Sequence, residues 1–231
     1  MIPLRGENPP KTFPFFTVLI IIINILVFFW EFSLGDQLED KINQFAVVPW
    51  RLMNTNNPAE LLTLITSLFL HGGIMHLLGN MLYLWVFGNN IEDRLGHFRF
   101  ILFYLVCGVI ATLGYIVSLP NYRLPIIGAS GAISGILGAY LLLYPRAKIL
   151  VLIPIFLFWR VVKISAIWFL LFWVGFQLLY NLTVPTIASL ANKGSIAWAA
   201  HIIGFFAGML FVGLFLKSKD RRVIDYSDDS L

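Results

Sequence analysis

The sequence predicts an all-α membrane protein of six transmembrane helices with both termini cytoplasmic. Three observations lead there. Of 231 residues, 59% are hydrophobic and only 12% charged, against about 25% charged in a soluble chain. Mean hydropathy is +0.84. The apolar residues also cluster into runs long enough for crossings of roughly 20 residues each. Six crossings use most of the chain, leaving short loops and tails. Disordered, collagen-like and disulfide-stapled classes are excluded. The single cysteine, Cys107, lies in an apolar run and reads as packing.

The runs are Phe13–Phe32, Leu61–Gly88, Phe100–Leu119, Ala129–Tyr144, Ile164–Leu182 and Ile196–Leu216. The first is too long for a cleavable signal and no small-residue cleavage site follows it. The run Ile149–Phe158 is too short to cross and contains Pro154, so it reads as a hairpin or interfacial turn. This divides the chain into an N-terminal segment 1–12, a helical domain 13–216 and a C-terminal tail 217–231. With six crossings, one side holds Arg5, Lys11, Arg94, Arg99, Arg146, Lys148, Arg160, Lys163, Lys217, Lys219, Arg221 and Arg222. The other holds Lys41, Arg51, Arg123 and Lys193. Twelve against four puts both termini in the cytoplasm by the positive-inside rule. The basic tail reads as an anchor at anionic headgroups and does not suggest nucleic acid.

Two runs are unusual. The second is interrupted at His71-Gly72-Gly73, so its helix is expected to start near Ile74 and end at Gly88, about 22 Å long. The fourth, Ala129–Tyr144, is about 24 Å. Both fall short of the ~30 Å hydrocarbon core. Starting them below the outer surface is the simplest geometry, and irregular backbone at that depth implies a water-filled cavity.

Polar groups converge on that depth. His76 and Asn80 are four residues apart on the second run, hence on one face. Ser130 opens the fourth run, and His201 lies near the start of the sixth. Ionisable groups inside spans are functional candidates. Gly131, Gly135 and Ala139 repeat at four-residue spacing, as do Ala200, Gly204 and Gly208. Rows of small residues let helix backbones approach closely. If these rows face each other, Ser130 and His201 meet, and a hydroxyl beside an imidazole makes an activated nucleophile. The fourth and sixth runs hold no Asp or Glu, so a dyad is expected. The turn Gly128-Ala129-Ser130-Gly131 leads into a helix whose first N–H groups lack partners. With His76 and Asn80 they would make an oxyanion hole.

His76-x-x-x-Asn80, Gly128-Ala129-Ser130-Gly131 and Ala200-His201 followed by Gly204 together resemble the rhomboid intramembrane serine proteases, as does the stretch from Leu70-His71-Gly72-Gly73 to Glu92-Asp93-Arg94. The resemblance runs from about residue 14 to 216. It implies a rhomboid-like six-helix bundle and hydrolysis of peptide bonds in or near transmembrane segments of other proteins. By position, Ser130 would be the nucleophile and His201 the general base. His76, Asn80 and the backbone of Gly128 and Ser130 would hold the oxyanion. The loop Glu31–Glu60 would be the family's membrane-embedded loop. Some members carry an aromatic four residues after the serine, against which the histidine packs. That position is Ser134 here, which leaves open what packs against His201.

The expected partners are transmembrane protein substrates and the lipid bilayer. No cofactor, metal or nucleic acid is implied, and the setting is a multi-pass protein of a bacterial plasma membrane. His71 and His76 are five residues apart, not at the i, i+4 spacing of helical zinc pairs. His71 reads as organising the glycine turn, His97 as a surface residue, and Glu92 with Arg94 as a local structural pair. Asn24, Gln177 and Asn181 read as hydrogen-bonding between helices, Gln177 also as a border of a substrate access route. Trp159, Trp168 and Trp173 read as lipid contacts. A neutral His201 is needed to accept a proton, so activity should fall on acidification through the ordinary histidine range, about 6–7. Two rivals stand beside the protease: a catalytically inactive relative that binds transmembrane segments, and a small transporter or channel. The apolar inner halves of the second, fourth and sixth runs disfavour the latter.

Overall fold

The structure, a computed structural model, describes residues 1–155, 158–188 and 198–216. The expectations for the basic tail 217–231 and for Ile196 as the start of the last helix lie outside the described residues.

The architecture is mostly helical. α1 (Phe15–Ser33) leads through a short 3-10 turn into a loop carrying α2 (Leu38–Phe45) and α3 (Pro49–Asn54). Arg51 ties that loop together: its guanidinium donates to the carbonyls of Asn43 at 2.6 Å and Ala46 at 2.9 Å, and to the Glu60 carboxylate at 2.6 Å. α4 (Ala59–Thr66) continues through a 3-10 turn at Ser67–Phe69, and the chain then bends by 81° into α5 (Ile74–Tyr83). The glycine pair at 72–73 is where that bend occurs.

α5 does not end at Gly88. It passes through a π-helical stretch, Leu84–Gly88, into α6 (Asn89–Leu95). The second span is therefore not short, and only the helix after Gly128 keeps that property. Gly88 misleads the sequence reading because it is a packing residue, not a stop. A side chain there would meet Leu84 at 2.9 Å and Thr17 at 3.4 Å. The actual break is Gly96, with φ +85°, a left-handed conformation that suits glycine. α7 (His97–Ser118) starts immediately after it.

α8 (Ser130–Leu143) has 14 residues, about 21 Å. A β-hairpin follows, β2 (Lys148–Ile155) antiparallel to β3 (Phe158–Ser165). The N-terminal segment adds β1 (Ile2–Gly6) antiparallel to β2, with Ile2 opposite Leu152. The all-α expectation is thus corrected by a three-stranded sheet in the order β1-β2-β3. α9 (Ala166–Ala188) and α10 (Trp198–Phe215) complete the described chain. Among the described residues, four helices, α1, α7, α9 and α10, are long and apolar enough to cross a membrane by themselves, and the bent pair Ala59–Phe69 with Ile74–Leu95 makes a fifth candidate. The chain is an integral, multi-pass membrane protein.

One end of the bundle is held by polar contacts that satisfy helix termini. Glu92, fully buried, accepts from the backbone N–H groups of Phe16 and Thr17 at 2.8 and 2.7 Å and from the Thr17 hydroxyl at 2.7 Å. These are first-turn donors of α1 that have no partner in their own helix, and a carboxylate suits that end of the helix dipole. His97 joins the same carboxylate at 2.6 Å, so it is not merely a surface residue. Arg99 donates to the Leu216 carbonyl at 3.0 Å, satisfying the end of α10. Asn90 donates to the Asn8 carbonyl, and Lys163 pairs with Glu7, joining the N-terminal segment to the same end.

Asn24 bonds the Ile20 carbonyl of its own helix, not a neighbouring one. Cys107 is free and buried, packed where a Gly135 side chain would otherwise stand.

Candidate active site

α8 and α10 form the most extensive helix pair in the bundle. Their glycines explain it. A methyl group built on Gly204 would land on the Gly131 carbonyl, and one on Gly208 on the Gly135 carbonyl. Gly138 lies in the same way against the Phe205 carbonyl. Because 131 faces 204 and 135 faces 208, the two helices run parallel, and both begin at the same end. α7 crosses antiparallel behind them, with Ala111 against Gly131 and Cys107 against Gly135.

This packing brings Ser130, the first residue of α8, to His201, one turn into α10. The Ser130 Oγ to His201 Nε2 distance is 2.8 Å. Both residues are half-buried, His76 is exposed and Asn80 is buried. The hydroxyl therefore lies within hydrogen-bond reach of a ring nitrogen and is not sealed inside the bundle.

The turn before Ser130 is anchored from outside α8. Gly128 donates its N–H to the Ser67 carbonyl at 2.8 Å, and Ile126 to the Val47 carbonyl at 2.7 Å. Gly128 has φ +118°, open to glycine and strained for other residues. It also lies against α5: a methyl group on it would sit 2.8 Å from Cε1 and Nε2 of His76 and 3.7 Å from Asn80 Nδ2. Thus two side-chain donors from α5 and the unpaired N–H groups at the start of α8 gather around one short segment. Such a gathering can stabilise an oxygen that acquires negative charge.

Asn80 is held by a partner the sequence reading had assigned only to the glycine turn. Asn80 Nδ2 lies 2.9 Å from His71 Nε2, and His71 Nδ1 lies 3.3 Å from the Phe69 carbonyl. With Nδ1 carrying the proton, both ring nitrogens of His71 are satisfied. The His71 backbone N–H in turn donates to the buried Glu31 carboxylate at 3.1 Å. The His71 and His76 rings meet edge to face at 5.1 Å. Beside them is a cavity of about 270 Å³, lined by Phe28, Glu31, Phe32, Leu38, Ile42, Gly72, Gly73 and Ile127 as well as His71. It adjoins the Gly128 turn from the side of the first loop.

Ser134 hydrogen-bonds within its own helix. Its hydroxyl donates to the Ser130 carbonyl one turn back, at 2.6 Å. The rings against His201 come from elsewhere. Trp173 of α9 lies 6.2 Å away at 34°, and Trp198 of α10 lies 5.9 Å away at 85°. Trp173 also packs on Phe205, which corrects its reading as a lipid contact; Trp159 and Trp168 are exposed. Gln177, one turn beyond Trp173, reaches His201 Nδ1 with its Oε1 at 2.9 Å. The interhelical bond expected of Gln177 is thus present, with His201 as its partner, and the i, i+4 spacing of Trp173 and Gln177 on the fifth run puts both on one face.

Residues 58–218 match the Rhomboid domain family. The chain is 38% identical over 129 residues to Rhomboid protease GluP of Bacillus subtilis, covering 55% of this chain and 24% of that protein. It is 32% identical over 143 residues to Putative rhomboid protease YdcA of the same organism, covering 60% of this chain and 68% of that protein. It is 30% identical over 178 residues to Rhomboid protein 1, mitochondrial, of Saccharomyces cerevisiae, covering 75% and 47%. The matched stretch is about a quarter of the length of Rhomboid protease GluP. The family match extends over most of the chain, from the helix before the glycine bend through the whole of α10, and on that ground the chain belongs to the rhomboid family.

Proposed function

We propose that this protein is an intramembrane serine endopeptidase that cleaves transmembrane segments of other membrane proteins near the outer membrane face. The observation that carries the reading is the 2.8 Å contact between Ser130 Oγ and His201 Nε2. Membership of a family whose relatives include named proteases supports it.

The chemistry follows from the positions. Ser130 Oγ attacks the scissile carbonyl carbon while its proton passes to His201 Nε2. The carbonyl oxygen becomes an oxyanion, held by His76, Asn80 and the Ser130 backbone N–H; the Gly128 N–H is already given to the Ser67 carbonyl, so Gly128 shapes the turn and is not a donor, contrary to the sequence expectation. Collapse breaks the C–N bond, and Nε2 returns the proton to the departing amine. Water then attacks the acyl-enzyme, giving its proton to Nε2. Release of the acid product restores the serine hydroxyl.

A scissile bond inside a helix is hydrogen-bonded and shielded, so the substrate unwinds locally at the site. Helix-weakening Gly or Pro near the cut lowers that cost. The crowding of Gly128 by His76 favours a small residue before the cut.

In this reading residues 13–216 form the protease domain, with segments 1–12 and 217–231 cytoplasmic. The 12 to 4 distribution of Lys and Arg supports that orientation. So does the pairing of β1 with β2, which keeps the N-terminal segment on the same side as the 148–165 hairpin. A bacterial plasma membrane fits the Bacillus relatives.

The test is co-expression with a panel of tagged single-span proteins, comparing the wild type with Ser130→Ala. Cleavage that requires Ser130 is expected. A panel left intact, with no fluorophosphonate labelling of Ser130, would instead favour a relative that binds transmembrane segments without cutting them.

A further inference from the structure

We infer that Gln177 is a positioning residue for His201: a neutral amide on α9 that decides which imidazole nitrogen carries the proton. The inference rests on the proteolytic reading above and adds a third member to its dyad.

The two ring nitrogens of His201 face different partners. Nε2 lies 2.8 Å from Ser130 Oγ, and Nδ1 lies 2.9 Å from Gln177 Oε1. A neutral imidazole has one N–H and one lone pair. An amide oxygen can only accept, so the N–H is at Nδ1 and the lone pair at Nε2. That is the tautomer able to take the serine proton. The opposite tautomer aims an N–H at Oγ and cannot act as a base towards it. Orientation of the base through its second nitrogen is the role a carboxylate fills in serine hydrolases of other folds.

The amide is well held. Gln177 is 6% exposed, and Trp173 on the same face of α9 lies along the His201 ring. Trp198 meets that ring edge-on from α10. The two indoles limit the rotation of the imidazole, and the amide oxygen selects its tautomer. A neutral acceptor also suits the setting. A carboxylate among these apolar helices would carry a far larger desolvation cost than an amide. His76 on α5 is an ionisable group beside the Gly128 turn, and it is common to every variant below.

The experiment uses the full chain in nanodiscs, with ¹⁵N-labelled histidine and the His201 signal identified by its loss in His201→Ala. Wild type is expected to show a protonated Nδ1 and an unprotonated Nε2, and Gln177→Leu a mixture of tautomers. With a single-span reporter, Gln177→Leu should lower kcat on the order of 10- to 100-fold while KM stays within about twofold. Fluorophosphonate labelling of Ser130 should slow in parallel. Gln177→Glu, nearly isosteric, keeps the acceptor and should restore the Nδ1–H tautomer. Its charge favours the imidazolium, so the acid limb of its pH–rate profile should move to higher pH than in wild type. A structural role alone would leave that limb in place.

Gln177→Leu with the wild-type tautomer and kcat, or Gln177→Glu with an unmoved acid limb, overturns the inference. If Gln177→Leu does not fold, the tautomer and acid limb of Gln177→Glu decide. A wild type that neither cleaves nor labels, yet shows a Gln177-dependent tautomer, sinks the proteolytic reading and leaves the positioning inference standing.

Discussion

Gly204 of α10 packs directly on the carbonyl oxygen of Gly131 in α8, the residue next to Ser130. No side chain fits between them. The serine–histidine contact is therefore a consequence of two helix backbones touching, and it is sensitive to anything that separates them.

Gly204→Leu should part α8 from α10. Backbone cannot yield as a side chain can, so the cost should reach the upper part of the 1–3 kcal/mol typical of overpacking, or about 3 kcal/mol. A lower Tm in detergent and loss of cleavage together are expected. Full activity in Gly204→Leu would mean that the helices are not in contact there.

Gly128→Ala meets two obstacles at once. Its φ of +118° is strained for alanine, and the new methyl group would lie 2.8 Å from the His76 ring. Strain of this kind costs about 1–3 kcal/mol. Displacement of His76 and of the Ser130 backbone should reduce kcat more than Tm. Steady-state kinetics beside a thermal melt separates the two effects.

Asn80→Ala and His76→Ala each remove a side-chain donor beside the Gly128 turn. If those donors meet the oxyanion, each should lower kcat about 10²–10³-fold with little change in KM. His71→Ala should reproduce part of the Asn80 loss, because His71 Nε2 holds the Asn80 amide at 2.9 Å. Unchanged kcat in Asn80→Ala would remove it from the site.

Glu92→Ala should destabilise the fold without touching the chemistry. It strands the Phe16 and Thr17 N–H groups and the Thr17 hydroxyl, near the far end of the continuous helix Ile74–Leu95 whose first turns carry His76 and Asn80. Leaving such donors buried and unpaired should cost about 2–4 kcal/mol in total. The expected result is a lower Tm, with kcat of the folded fraction within about twofold of wild type.

Membrane class and the residues brought together at the site were legible from the chain alone. Apolar runs have few interpretations, and Ser130, His201, His76 and Asn80 are polar groups where lipid tolerates few. The glycine rows were legible because close backbone approach leaves one residue type. The sheet was not legible. β1 is five residues long and finds its partner about 145 positions later, a pairing no local pattern announces. The extent of the second span was misread for a related reason: Gly88 is needed by Thr17 of another helix.

The sequence by itself thus determined which chemistry is available and the small-residue stripes that let α8 and α10 touch. Only the tertiary structure decided what surrounds the imidazole. α9 is apolar on nearly every side, facing lipid on one flank and protein on another. Leucine and phenylalanine suit both environments, so periodicity does not reveal which flank turns inward. The rotation of α9, set by packing against α8 and α10, is what carries Trp173 and Gln177 to His201.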